Sequence, residues 1–249
     1  GINATYILLT ALKRLGGQAD FVIPDRIHDG YGINEEIVKK AAAEGVDALL
    51  TCDNGISASE QIRLAGRLGM TVIVTDHHDI PEQGIPPAAA VVNPKQQDCP
   101  YPFKGLCGAA VAFKLVQVMY EKRGIPAEEA YQYLEFAALA TVADVMELKG
   151  ENRILVREGL ARLRRTENIG LNALIEVCKL KKDALVSYHL GFVIGPCLNA
   201  SGRLDTARRA LELLLAENEY TAAEYAGDLY DLNVSRKEMT EQGVLQAKE

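Results

Sequence analysis

The sequence predicts an α/β fold, in which a parallel β-sheet flanked by helices is followed by a helical subdomain and a connecting helix. Three observations predict it. Short apolar runs alternate with helical-period segments in the first part of the chain, with connections suited to strand–helix–strand units. From about Gly105 onward, apolar residues recur at helical spacing and no obvious strand follows. The last segment is polar, charged and without a stop signal. The expected divisions are 1–104 for the α/β core, 105–215 for the helical part, and 216–249 for the start of the connecting helix.

Leu8, Leu12 and Leu15 recur at helical spacing and Leu9 widens their stripe, so residues 1–15 form an amphipathic helix that Gly16-Gly17 stops. Ala19 to Ile23 reads as a short strand closed by Pro24. Asn34 caps a helix beginning at Glu35. Val46 to Thr51 is a strand followed by the loop Cys52-Asp53-Asn54-Gly55. Ser57 or Ser59 opens a helix to about Leu68, and Thr71–Thr75 and Ala88–Val92 are further strands. Helices are expected over 108–120, 127–142, 151–164, 170–177, 206–215 and from 221 on.

The composition is that of an ordinary soluble core: 48% of the 249 residues are apolar, and tryptophan is absent. A net charge of −7 excludes a basic nucleic-acid footprint in the total, though a local basic groove can sit on an acidic protein. The five cysteines (52, 99, 107, 178 and 197) form no CxxC pair, which fits a reducing cytoplasm better than a disulfide scaffold or zinc ribbon. No stretch reaches the length of a membrane-spanning helix, and no signal peptide opens the chain.

Two of the four histidines stand side by side in TVIVTDHHDIP, Thr71 to Pro81. Loops at the carboxyl ends of parallel strands build sites, and both Asp53 and the run Asp76-His77-His78-Asp79 lie at such ends. Hard oxygen donors with an imidazole suit a divalent cation, and two ions bridged by a carboxylate can drive phosphoester hydrolysis. Asp144, a lone carboxylate after an apolar helical run, joins the candidates. Blander roles compete. Asp53-Asn54-Gly55 suits a tight turn, Asp76 and Asp144 suit helix caps, and the histidines suit an ordinary surface.

The segments TDHH, DNGIS and VADVMEL together resemble the DHH phosphoesterase superfamily. IPDRIHDGYGIN (23–34), YPFKGLCGAAVAFKL (101–115) and GPCLNASGRLDTA (195–207) narrow the resemblance to the RecJ family of single-stranded-DNA exonucleases, over nearly the whole chain and in order. The resemblance implies metal-dependent hydrolysis of single-stranded DNA from the 5′ end, with Mn2+ or Mg2+ at a two-metal site. By position, Asp53 corresponds to a bridging metal ligand, and His77 and Asp144 to further ligands. Asp76 would orient its neighbours and His78 would stand near the scissile phosphate, the two forming the catalytic set. Arg26 and Arg203 match phosphate-binding arginines, with Asn199 and Ser201 shaping the loop of Arg203; surface salt bridges are the alternative for the arginines. The implied partners are single-stranded DNA, single-strand-binding protein and a helicase, with no membrane; a cytoplasmic monomer is expected.

The family carries an Asp-x-Asp-Gly motif, of which Gly1 resembles the glycine so that both aspartates would lie just before it, and a DHH-associated domain beyond the connecting helix; neither those aspartates nor that domain occurs here. The expectation is therefore an incomplete catalytic core with weak metal binding and little activity by itself. Related enzymes acting on nanoRNA, cyclic dinucleotides or adenosine bisphosphate share the metal core. A non-catalytic single-strand binder, and an α/β protein using His77 and His78 structurally, are the further alternatives.

Overall fold

The computed structural model describes residues 1–24, 32–204 and 208–246, and side chains over 1–24, 32–200 and 208–243. The chain begins with α1 (Ile2–Arg14), whose Ala4, Ile7, Leu8 and Ala11 are buried along one face. The helix α2 (Glu35–Ala43) starts at Asn34, whose side chain accepts a hydrogen bond from the Ile37 amide at 2.9 Å, as the capping signal predicted. Three strands follow: β1 (Ala48–Cys52), β2 (Thr71–Thr75) after α3 (Ser59–Arg67), and β3 (Ala90–Val92). They pair in parallel in the order β1-β2-β3, with Cys52 opposite Thr75 and Thr75 opposite Val92 at the carboxyl ends.

Period-two alternation gives this small sheet two apolar faces. Val72 and Val74 pack with Val38, Ala41, Ile62 and Ala65 of α2 and α3. Leu50 and Cys52 face the larger core formed by the helices. That core is built from α1, α4 (Gly108–Lys122), α5 (Leu134–Ala143), α6 (Gly150–Leu163), α7 (Ile169–Val177), and the helices after them. The short α8 (Ser187–His189) runs through a π-helical turn, Leu190–Ile194, into α9 (Gly195–Leu204). The chain ends with α10 (Arg208–Leu214) and α11 (Glu219–Gln246).

Helix α5 runs through the middle of this body and is buried on nearly every side, as a helix without a polar face must be. It meets α6 closely at Gly159, where an added Cβ would stand 2.3 Å from both the Ala138 Cβ and the Leu134 carbonyl oxygen.

Two expectations are corrected. Ala19–Ile23 is not a strand: among the described residues no strand pairs with it. Val22 is 60% exposed, and the Phe21 ring lies 5.4 Å from the Arg208 guanidinium of α10. An apolar run becomes a strand only where a ladder partner meets it, and this one leans on a helix instead. The single helix expected over 127–142 divides into a 3₁₀ helix, Ala127–Tyr133, and α5. Ala130 and Tyr133 are buried three residues apart, which is one turn of the tighter helix.

Candidate metal centre

The site forms at the carboxyl edge of the sheet. Asp53 follows β1, and its amide still donates to the Thr75 carbonyl at 2.9 Å. It then takes φ +60°, a left-handed conformation that aspartate tolerates. The turn closes through Thr51 Oγ1 donating to the Asn54 carbonyl at 2.8 Å and Asn54 Nδ2 donating to the Cys52 carbonyl at 3.1 Å. The tight turn and the site carboxylate are thus the same feature. On its far side Asp53 abuts the first residue of α4: a Cβ on Gly108 would fall 2.1 Å from Asp53 Oδ1. A glycine is required there for the carboxylate to fit, and the helix N-terminus favours its charge.

Asp76 follows β2, its amide donating to the Val92 carbonyl at 3.0 Å. Its side chain is buried, and no helix starts after it, so the capping alternative fails. Oδ2 accepts from the Ile56 amide at 3.0 Å. Oδ1 accepts from the amides of His77 (2.7 Å) and His78 (3.2 Å) and stands 2.6 Å from His78 Nδ1. The carboxylate therefore sets the backbone of both histidines and one ring. Asn93, also buried, donates to the His78 carbonyl at 2.9 Å. Asp79 turns away: it is almost fully exposed and pairs with Lys95 at 2.8 Å.

His77 is nearly enclosed, its side chain 12% exposed, with Nε2 3.0 Å from Asp53 Oδ1. The two form an ion pair, and the other ring nitrogen, His77 Nδ1, is buried without a hydrogen-bond partner. Asp53, His77 and His78 each bring a donor atom into a group whose members all lie within 4.8 Å of one another. A close group of carboxylate and imidazole donors, one imidazole nitrogen of it buried without a partner, fits a divalent cation.

The charges are strongly coupled. Burial pushes the Asp53 carboxyl up, while the hydrogen bond and charge of His77 beside it pull it down. Burial pulls the His77 imidazole down, while Asp53, with Asp144 and Asp76 behind it, reverses that and leaves it raised. Asp144 sits at the C-cap of α5. Crowding by the protein and then the Asp53 charge raise its pKa, although solvent reaches the residue. Its carboxylate stands outside the close group of Asp53, His77 and His78.

The loop expected around Asn199, Ser201 and Arg203 is instead the helix α9, on which Asn199 is exposed and lines a hollow with Ala143, Gly191, Gly195, Pro196 and Arg236. Ala143, which lines the hollow, precedes Asp144 in the chain. Arg26 lies outside the described residues, as do the side chains of Ser201 and Arg203. The sequence reading named no aromatic group. Beside Gly191, however, Tyr188 and Phe192 are exposed and stack at 5.0 Å with 21° between their planes. Their four-residue spacing on a helix was the signal that could have found them. Gly108 and Asn93 were missed because a glycine's neighbour and a buried amide's partner belong to the tertiary structure.

A parallel sheet carrying carboxylates and paired histidines at its carboxyl edge defines a class, and residues 1–141 match the DHH family, N-terminal domain. The chain belongs to the DHH family. Within it, the chain is similar to the single-stranded-DNA-specific exonuclease RecJ of Dickeya dadantii (strain 3937), at 40% identity over 250 residues, 96% of this chain and 43% of that relative. A crystal structure of exonuclease RecJ bound to manganese superposes with a TM-score of 0.90 at 36% identity, covering 99% of this chain and 61% of that one. A second, of RecJ in complex with Mn2+ from Thermus thermophilus, gives 0.86 at 35% identity and covers 99% of this chain and 35% of that one. The chain thus spans less than half the length of the curated relative it matches.

Proposed function

We propose that this chain carries the hydrolytic part of a metal-dependent exonuclease that removes nucleotides from the 5′ end of single-stranded DNA. The observation that carries the proposal is the close group of Asp53, His77 and His78, with Asp53 paired to His77 and the His77 Nδ1 buried and unpartnered. Asp53, His77 and Asp144 would hold Mn2+ or Mg2+, as the manganese named with the relatives supports. Bound there, the ions supply an activated water and offset charge developing on the phosphoryl group.

The chain's own residues have separate tasks in this reading. Asp76 fixes the backbone and ring on which His77 and His78 depend. His78, steadied through Nδ1, is placed to hydrogen-bond a phosphate oxygen. Asn199, with Arg26, Ser201 and Arg203, contacts the phosphate backbone, a task suited to guanidinium groups. Tyr188 and Phe192 offer an exposed ring face on which an unpaired base can stack. The α/β part to residue 104 supplies most ligands, the helical part 105–215 supplies Asp144 and the strand contacts, and 216–249 begins the connecting helix, whose Arg236 borders the Asn199 hollow.

The test is Mn2+-dependent shortening of 5′-phosphorylated single-stranded oligonucleotides by the chain joined to the further sequence its relatives carry, beside this chain alone. Digestion from the 5′ end, abolished by His77→Ala, is expected. Tyr188→Ala should weaken oligonucleotide binding roughly 5- to 100-fold. Preferred turnover of cyclic dinucleotides or very short RNA, or binding without hydrolysis, would overturn the reading. Among the described residues no helix is long and apolar enough to cross a membrane. A cytoplasmic monomer working with single-strand-binding protein and a helicase belongs to the same proposal, with gel filtration and affinity capture as its checks.

A further inference from the structure

Cys178 and Cys197 lie far apart from the metal-centre residues in sequence, and nothing in the proposed hydrolysis uses them. Cys178 is the C-cap of α7, followed by Lys179 at φ +55°, where the helix closes with the Leu180 amide donating to the Ile175 carbonyl at 3.0 Å. Cys197 is buried on the first turn of α9. Their sulfurs stand 3.8 Å apart in hydrogen-bond contact, the only such pair of cysteines among the described residues. Cys178 is partly exposed, so a small oxidant can reach it, while Cys197 stands behind it.

A third helix prepares the pair. Asn233 of α11, itself buried, donates Nδ2 to Cys197 Sγ at 3.4 Å. Its Oδ1 is in turn held by Arg236 Nη2 at 3.0 Å. The amide is thus fixed with its donor on sulfur. The hydrogen bond from Cys197, and then the Lys237 ammonium, lower the Cys178 thiol against the opposing effect of burial. The Cys197 thiol moves the other way, held protonated beside Cys178 and by burial. The two sulfurs are thereby different: one accessible and inclined to ionise, the other buried and retaining its proton.

We propose that Cys178 and Cys197 are a peroxide-responsive modification site that forms a disulfide joining α7 to α9. The Cys178 thiolate attacks one oxygen of hydrogen peroxide. The O–O bond breaks, hydroxide leaves and is protonated to water, and Cys178 becomes a sulfenic acid. The Cys197 sulfur then attacks the Cys178 sulfur as its proton passes to the departing hydroxyl. The S–S bond forms, the S–O bond breaks, and a second water leaves. Two thiols are oxidised by two electrons and one peroxide is reduced to two waters. The sulfurs must approach by about 2 Å, which rotation of the Cys178 side chain at a helix end can supply. The bond would fix the first turn of α9 against α7, two residues before Asn199.

The experiment treats the native protein with graded hydrogen peroxide, alkylates the remaining thiols, and maps peptides by mass spectrometry without reduction. The expected product is a cross-link between the Cys178 and Cys197 peptides, formed before Cys52, Cys99 or Cys107 reacts and reversed by dithiothreitol. Oxidised protein should melt several degrees higher. Cys197→Ser should leave a Cys178 sulfenic acid that dimedone traps. A Cys178 sulfinic acid with no cross-link, or oxidation of the other cysteines first, would overturn the proposal. The decisive map is made on the unsubstituted protein, so a variant that folds poorly does not blunt it.

Discussion

Asp76 organises the centre from beneath it. Its two oxygens accept from the amides of Ile56, His77 and His78 and meet His78 Nδ1, so a single buried carboxylate satisfies a whole turn of donors. Asp76→Asn keeps the size but aims an NH2 group at one of those donors. Stability should fall by about 1–3 kcal/mol in urea unfolding. Mn2+ affinity, measured by calorimetry, should fall about 10- to 100-fold because the histidines lose their support. Lost stability with unchanged Mn2+ affinity would confine Asp76 to folding. Val145, next to Asp144, carries a different cost. It takes φ +56° and is 88% exposed, although a β-branched side chain disfavours that region. The reason is the end of α5. The Val145 amide donates to Val142 and that of Met146 to Thr141, both at 3.1 Å, a closure that normally uses glycine. Val145→Gly should therefore raise stability by about 1 kcal/mol in thermal unfolding. A destabilised Val145→Gly protein would show that the valine side chain makes a compensating contact.

Helix α5 illustrates what an element can do that its residues do not announce. Its sequence, LEFAALATVA, is almost wholly apolar, yet it carries Glu135, which is buried and accepts from Thr166 Oγ1 at 2.8 Å. Burial pushes the Glu135 carboxyl up to about 7, against the smaller effects of Thr166, Arg162 and Lys182. Below the ordinary value near 4.5, the group is protonated in both folded and unfolded chains and stability is complete. Between there and about 7 the unfolded chain loses its proton first, and stability declines. The loss by pH 8 is about 3 kcal/mol. Glu135→Gln keeps an acceptor for Thr166 and should abolish this decline, seen as equal urea midpoints at pH 5 and pH 8 for the Glu135 contribution. A wild-type protein equally stable at both pH values would refute it. The element that holds Glu135 at one end delivers Asp144 at the other, so its rigid burial matters to the site.

At the scale of the molecule, a three-stranded sheet and a helical body meet at one edge, and charge collects there. Asp53 and Asp144 raise each other's electrostatic cost, and each of them pulls His77 toward protonation. A divalent cation relieves the carboxylate repulsion, so it should stabilise the fold itself. Mn2+ at about a hundred times its Kd should add roughly 3 kcal/mol, observed as a rise in Tm. EDTA should reverse the rise, and Asp53→Asn should remove it. An unchanged Tm in saturating Mn2+ would contradict the assignment of the ligands. Acid would also weaken the effect, because ligands must lose their protons to bind metal.

The local signals were enough for much of this architecture. Short apolar runs located β1 and β2, Asn34 marked the start of α2, and aspartates after two parallel strands located the site, because backbone geometry carries those residues to one edge. DNG and TDHH could be read because both the turn and the ligand chemistry need those residue types. Other features depend on which surfaces meet. Ala19–Ile23 has strand composition, but pairing is a property of two segments, and Phe21 rests near Arg208 instead. Gly108 is explained only by the carboxylate beside it, Asn93 by the carbonyl it holds, and Cys178 by the sulfur 3.8 Å away. By itself, the sequence determined the fold class and the chemical character of the site, since periodicity and residue type act locally. The tertiary structure decided which donors converge, which buried nitrogen is left without a partner, and which thiols can meet, since distance and burial exist only once the chain has packed.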